Sequence, residues 1–364
     1  SHLERVEVIK GPSSVTFSSA DPGGTVNMVT KKPLTEKRSE VSLTTGSFGT
    51  LRATADFTGP LNESKTLLYR FNAAIQEADS FRDVVNNNAI LFSPSLSYIP
   101  NETTSLNVEM IYSDAVGNLD RGQPVFGAIN GNYDINSTPI TMNVGASSDH
   151  YKNKEFIFMA NFSKKLSDNL GFNAQFMKQT WDEDLAEHRV DGTAVDIDGN
   201  VIPTLARMRY DERQQYWETD NFSTYFTYDI KTDKITNKIL VGYDGTRWER
   251  KIGAGFLRAR RYLTVDGGQA NYDPENAANF QQMVVDGVTM PVPAVPHFNL
   301  VDPFNGARNT NAYNLAELSI PANLNTSNGF YIQNQFKVGK FSALVNLRYE
   351  RFTDIFDYEG DEQE

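Results

Sequence analysis

The chain has 364 residues, no cysteine and a formal net charge of −12, so a disulfide framework and thiolate metal sites are excluded, and binding to nucleic acid through phosphate contacts is disfavoured. Its four histidines, His2, His150, His188 and His297, are far apart in sequence, which argues against a zinc enzyme. Mean hydropathy is −0.46 with 12% aromatics, and no apolar run approaches the ~20 residues of a membrane helix; a β-barrel stays open, because alternating lipid-facing and lumen-facing residues keep average hydropathy low.

From the start of the chain, Val6, Val8 and Ile9 form a short apolar run that stops at Gly11-Pro12, where a donor is lost and positive φ is permitted. A second run, Val26, Met28 and Val29, follows the turn chemistry of Asp21-Pro22-Gly23-Gly24. A small turn-rich sheet is predicted, followed by a basic, polar link from Lys31 to Glu40.

Beyond it, alternation takes over. Leu67, Tyr69, Phe71, Ala73 and Ile75 alternate with residues that include Arg70, Asn72 and Gln76, a period-two run longer than an ordinary globular strand. The pattern recurs at Leu106–Tyr112, at Leu170–Phe176 and at Phe341–Tyr349. Connections alternate in length. Pro60–Ser64, Pro100–Thr103, Ser167–Asn169, Lys231–Ile235 and Gly339-Lys340 are tight. Asp79–Asn88, Asp114–Asn153, Asp182 to about Met208 and Lys251 to about Thr326 are long. Short periplasmic turns alternating with long extracellular loops characterise an outer-membrane barrel. About eleven strands are predicted from Ser39 to Asp354.

Motifs that suggest chemistry have plainer readings. Asp182-Glu183-Asp184 reads as solvated loop acids. Asp196-Ile197-Asp198-Gly199-Asn200 resembles a calcium loop, yet Arg207 stands where the bidentate Glu belongs. Asp198-Gly199 reads better as a hairpin turn, and Asp286-Gly287 as a second one, so the long loops are expected to be folded. No catalytic or metal-binding residue is predicted.

The stretch ERVEVIKGP, a small-residue segment, then PGG, VN and a KKP exit, spanning Glu4 to Pro33, resembles the end of the plug domain of TonB-dependent outer-membrane receptors of the siderophore (ferrichrome-type) branch. The motif residues are Lys10, Gly11, Pro12, Pro22, Gly23 and Gly24. One departure is Thr16-Phe17-Ser18-Ser19, where the family has an aromatic-glycine pair. The resemblance implies an all-β, antiparallel transmembrane barrel of about 22 strands enclosing a plug. Residues 1–38 would be the C-terminal part of that plug and 39–364 the first half of the barrel, making the chain a fragment of a longer protein. It implies active transport of a ferric siderophore through the outer membrane of a Gram-negative bacterium. The partners would be that siderophore, outer-membrane lipid, and the TonB energy-transducing complex acting on a box before Ser1. No enzyme activity and no cofactor are expected, the iron being cargo. Ligand contacts are expected where strands enter long loops, at Arg121, Trp181, His188 and Trp248, with Asn118 and Arg250 nearby. Arg121 would supply charge to a ferric hydroxamate or citrate and a tryptophan a stacking face, the alternative for the tryptophans being the barrel's outer aromatic girdle. Lys10 is expected to pair with a carboxylate of the barrel wall. Rival readings are a receptor for haem, cobalamin or oligosaccharide, a structural or adhesive barrel without transport, an outer-membrane enzyme, and a soluble β-rich binding module.

Overall fold

A computed structural model of the chain describes residues 2–10, 23–122, 138–251, 255–318 and 320–356. Strands β1 (Leu3–Lys10) and β2 (Gly24–Thr30) form an antiparallel hairpin. Gly24 sits opposite Lys10 at φ 131°, and a Cβ there would collide with the Ile9 carbonyl, so only glycine fits where β2 begins. Gly23 lies in the turn just before it. Gly11, Pro12 and Pro22 lie outside the described residues.

The main sheet is an antiparallel meander. Its first nine long strands are β3 (Arg38–Thr45), β4 (Leu51–Pro60), β5 (Leu67–Glu77), β6 (Asn87–Asn101), β7 (Thr104–Gly117), β8 (His150–Lys165), β9 (Leu170–Val195), β10 (Val201–Lys231) and β11 (Ile235–Arg250). Seven short strands follow in the loop after β11: β12 (Phe256–Ala259), β13 (Tyr262–Leu263), β14 (Gln269–Ala270), β15 (Gln282–Val285), β16 (Val288–Pro291), β17 (Phe298–Asn299) and β18 (Ala316–Glu317). Two more long strands, β19 (Asn323–Val338) and β20 (Phe341–Phe356), complete it. Each of the eleven long strands pairs with the next one along the chain, from β3 to β20.

Burial in this sheet is inverted relative to a soluble protein. Arg70, Asn72, Ser93, Ser95, Ser97 and Glu109 are buried, while Phe92, Leu96, Met110, Phe226, Val241 and Leu347 are more than 40% exposed. The two sets lie on opposite faces, since strand residues alternate. An apolar face of that extent needs lipid, and a polar inner face is what a barrel lumen presents. The chain's conventional core lies elsewhere. Met142, Val144, Met208, Tyr210, Val295 and Phe298 belong to one buried cluster that joins the long loops to the upper end of β9 and β10.

The segment after β2 is fastened to the polar face. Lys31 Nζ lies 2.8 Å from Asp56, and Lys32 Nζ lies 3.0 Å from Glu109, which also accepts from the Thr30 hydroxyl at 2.8 Å. Arg70 grips Asp56 with two bonds of 2.8 and 2.7 Å and donates a third to the Lys32 carbonyl. The Leu34 N–H donates to the Thr58 hydroxyl. Lys10 is exposed, and no ion pair engages it among the described residues; Lys31 and Lys32 hold the wall carboxylates instead.

One predicted link is not a loop. Between Asp182 and Met208 the β9–β10 ladder continues upward, with Tyr216 opposite Asp182 and Val201 opposite Val195. Alternation is hidden there because loops pack on one face and ionic partners on the other, so neither face is simply polar. The hairpin closes at Asp196–Asn200. Asp196 accepts from the Asp198 and Asn200 amides, and Gly199 has φ 85°. The second hairpin, β15–β16, turns at Asp286 (φ 51°) and Gly287 (φ 79°), the left-handed pair that a two-residue turn requires.

Candidate ligand-binding site

Register assigns every strand residue to a face. Glu109, on the face that holds Lys32, lies opposite Met159; Met159 lies opposite Met177, and Met177 opposite Asn221. Counting in twos along β9 and β10 puts Trp181 and Trp217 on that same inner face, directly opposite each other. Asn221 faces Thr246 on β11, and two residues on is Trp248. All three tryptophans of the chain therefore line the inner face. The rings of Trp181 and Trp217 stack at 5.8 Å and 8°, and Trp248 lies 6.5 Å from Trp217 at 45°. The indole N–H groups of Trp181 and Trp217 are buried without a hydrogen-bond partner among the described residues, an unusual state for a buried indole.

Above this ladder the same face carries rows of charge. Glu183 accepts from Arg213 Nε at 2.6 Å. One step up, Glu187 is held by two bonds from Arg121, at 2.8 and 2.6 Å, with Arg189 at 3.5 Å. Asp211, opposite Glu187, is shared by Arg258 and Arg209. The next pair across the ladder is Arg189 with Arg209. Arg250 lies opposite Trp217 and donates to the Pro321 carbonyl. On the other face, Lys178 meets Glu218 and Asp220 within 3.6 Å, which marks where the apolar belt ends and places these rows beyond it. Arg189, in the part of β9 that rises clear of the belt, is pulled below the ordinary arginine range by burial and then by the Arg209 guanidinium. Stacked indoles below and planar guanidiniums above can hold an aromatic or oxygen-rich anionic ligand, by face contact and bidentate hydrogen bonds.

No family model matches the chain. It is 31% identical over 258 residues to the metal-pseudopaline receptor CntO of Pseudomonas aeruginosa, a match covering 68% of this chain and 33% of that receptor. It is 26% identical over 274 residues to the ferrioxamine receptor of Yersinia enterocolitica, covering 74% of this chain and 37% of the relative. The chain belongs with the TonB-dependent siderophore receptors. The match spans about a third of the length of these two relatives. Among solved structures, the ferric-catecholate import receptor Fiu of Escherichia coli K12 superposes with a TM-score of 0.74 over 98% of this chain and 50% of its own, at 17% identity; that likeness concerns the fold alone.

Within this receptor fold, two of the four expected contacts, Trp181 and Trp248, come together with Trp217 on the inner face, and Arg121 holds Glu187 on the same face six residues further along β9. Trp217, which sequence reading missed, is the middle rung; its signal was period-two spacing from Arg213 and Gln215. By register, the tryptophans do not face the outer girdle. His188 is on the opposite face with a fully buried side chain. Its Nδ1 lies 2.6 Å from Asp149 and its Nε2 2.9 Å from the Tyr313 hydroxyl, so it ties two loops to β9. His150 is on that outer face too, 3.3 Å from Asp184. The three acids at 182–184 cannot act together, because adjacent strand residues point to opposite faces: Glu183 meets Arg213 inside, Asp184 meets Lys152 outside. Among the described residues there is no cluster of metal-ligating side chains.

Proposed function

We propose that the protein to which this chain belongs is a TonB-dependent transporter that binds a ferric siderophore at the outer face of the outer membrane. Residues 1–38 form the end of its plug and 39–364 the first half of a barrel of about 22 strands. The observation that carries this is the inner face itself. A tryptophan ladder and rows of arginine stand above a basic tail fastened to the wall at Asp56 and Glu109. Names of relatives support the substrate class: CntO is a metal-pseudopaline receptor and another relative takes ferrioxamine.

The chelate would sit on the ladder, and the TonB complex would pull the plug from its N-terminal side while the tail at Lys31 and Lys32 stays moored. Transport makes and breaks no covalent bond, so no cofactor is invoked. A haem receptor is less well supported. His150 and His188 face away from the ladder, and both ring nitrogens of His297 are buried, whereas haem capture needs an accessible axial ligand.

The test is iron accumulation in cells producing the full-length protein, with and without a functional TonB. Uptake of a ferric siderophore that disappears without TonB is the expected result; uptake that is indifferent to TonB, or absent in both, overturns the proposal.

A further inference from the structure

The charged rows above the ladder are not electrically balanced at their surface. The carboxylates of Asp211, Glu183 and Glu187 are 2, 5 and 7% exposed. The guanidiniums they hold are nearer the surface: Arg209 is 19% exposed, Arg213 29%, Arg189 34% and Arg121 36%. With Arg258, five arginines surround three carboxylates on this patch among the described residues, in a chain whose net charge is −12. Glu155 stands lower, opposite Trp181, where Gln179 donates to it.

Arg189 and Arg209 occupy directly opposite positions in the ladder, an arrangement that destabilises a sheet when like charges face each other. Neither has a carboxylate to itself. Glu187 is already gripped by Arg121, and Asp211 is shared with Arg258. An anion laid across the pair would relieve the repulsion, and the planar fork of a guanidinium matches paired oxygens.

We propose that the siderophore complex this mouth accepts carries net negative charge through free carboxylates, which are captured across Arg189 and Arg209, eight residues along β9 and β10 from the tryptophan ladder and so about 26 Å above it, before the complex descends to the ladder. The proposal rests on the receptor function proposed above and narrows its ligand. It makes Arg189 and Arg209 specificity-determining residues, whereas Arg121, Arg213 and Arg258 serve chiefly to position their carboxylates.

The test uses full-length receptor purified in detergent and three probes: ferric citrate, a neutral ferric trihydroxamate and a cationic ferric trihydroxamate. Binding is followed by indole fluorescence at low and high salt. Ferric citrate is expected to bind best and to weaken with salt, as exposed charge contacts do. The double substitution R189Q/R209Q is expected to weaken ferric citrate about ten-fold or more, through loss of charge-assisted bonds, and to leave the neutral probe unchanged. R189K/R209K, which keeps the charge but not the fork, is expected to bind ferric citrate more tightly than R189Q/R209Q and less tightly than the unsubstituted receptor, and controls for misfolding. Preference for the neutral or cationic probe, or ferric citrate binding indifferent to R189Q/R209Q, overturns the charge assignment and leaves the receptor function standing. Failure of every probe, whatever its charge, counts against the receptor function itself.

Discussion

Asp56 and Arg70 show how single residues hold this wall together. Arg70 is 5% exposed and Asp56 11%, joined by two bonds, with Lys31 as a third partner. Removing one member of such a buried pair leaves an uncompensated charge at a cost of about 3–5 kcal/mol. Asp56→Asn in the full-length receptor should therefore lower the temperature at which the barrel loses its compact electrophoretic migration, and the double change D56L/R70L should recover part of the loss. Trp217→Ala removes the middle rung between Trp181 and Trp248. Ring-ring contact contributes roughly 1 kcal/mol beyond burial, so the substitution should lower barrel stability by at least that order, and chelate binding measured by titration should weaken several-fold. The sequence showed Trp181, Trp248 and Arg121 to lie where strands enter long loops. It could not show that they share a face, because face is a matter of parity carried across β7, β8, β9 and β10 by register. His188 was misjudged for a related reason: its burial depends on Asp149 and Tyr313, 39 and 125 residues away.

Among the elements, the β9–β10 hairpin does most to shape the outer surface. It continues the barrel wall upward and supplies Ala186, Ala206, Met208 and Tyr210 to the core that holds the loops down. His297 in this layer has no hydrogen-bond partner for either ring nitrogen among the described residues, and burial, aided by Arg207, depresses its pKa to about 4. A histidine titrates near 6.5 when unfolded, so between that pH and about 4 the opened layer binds the proton that the folded layer refuses. The layer is then fully stable at neutral pH and loses stability as pH falls through this window. Amide exchange across residues 256–318 should accelerate on acidification, and His297→Phe should flatten the response; exchange independent of pH after correction for intrinsic rates would contradict it. The tight turns, Asp198-Gly199 and Asp286-Gly287 were legible because each depends on local chemistry. The rise of β9 and β10 was not, because burial on both faces erases the alternation that identifies a strand.

At the scale of the whole molecule, the meander of eleven strands, its exposed apolar face and its polar inner face follow from period-two sequence and from alternating short and long connections. The segment after the β1–β2 hairpin is fastened to the polar face at Lys31 and Lys32, which under the proposed function would make it a fixed mooring for the plug. Glu109→Ala should free Thr30 and Lys32, so trypsin should cut more readily after Lys31 in the full-length protein, the Lys32–Pro33 bond being resistant; unchanged cleavage would mean that the remaining contacts to Asp56 and Thr58 suffice. The central claim is that the inner face above the tryptophan ladder receives the iron complex. The most direct measurement is the anomalous scattering of iron in crystals of the full-length receptor soaked with its ferric chelate. An iron peak is expected on the inner face between the Trp217 ring and the Arg189–Arg209 pair; a peak on the outer face of β9 and β10, near His188 or His150, would place the iron complex elsewhere and overturn this assignment.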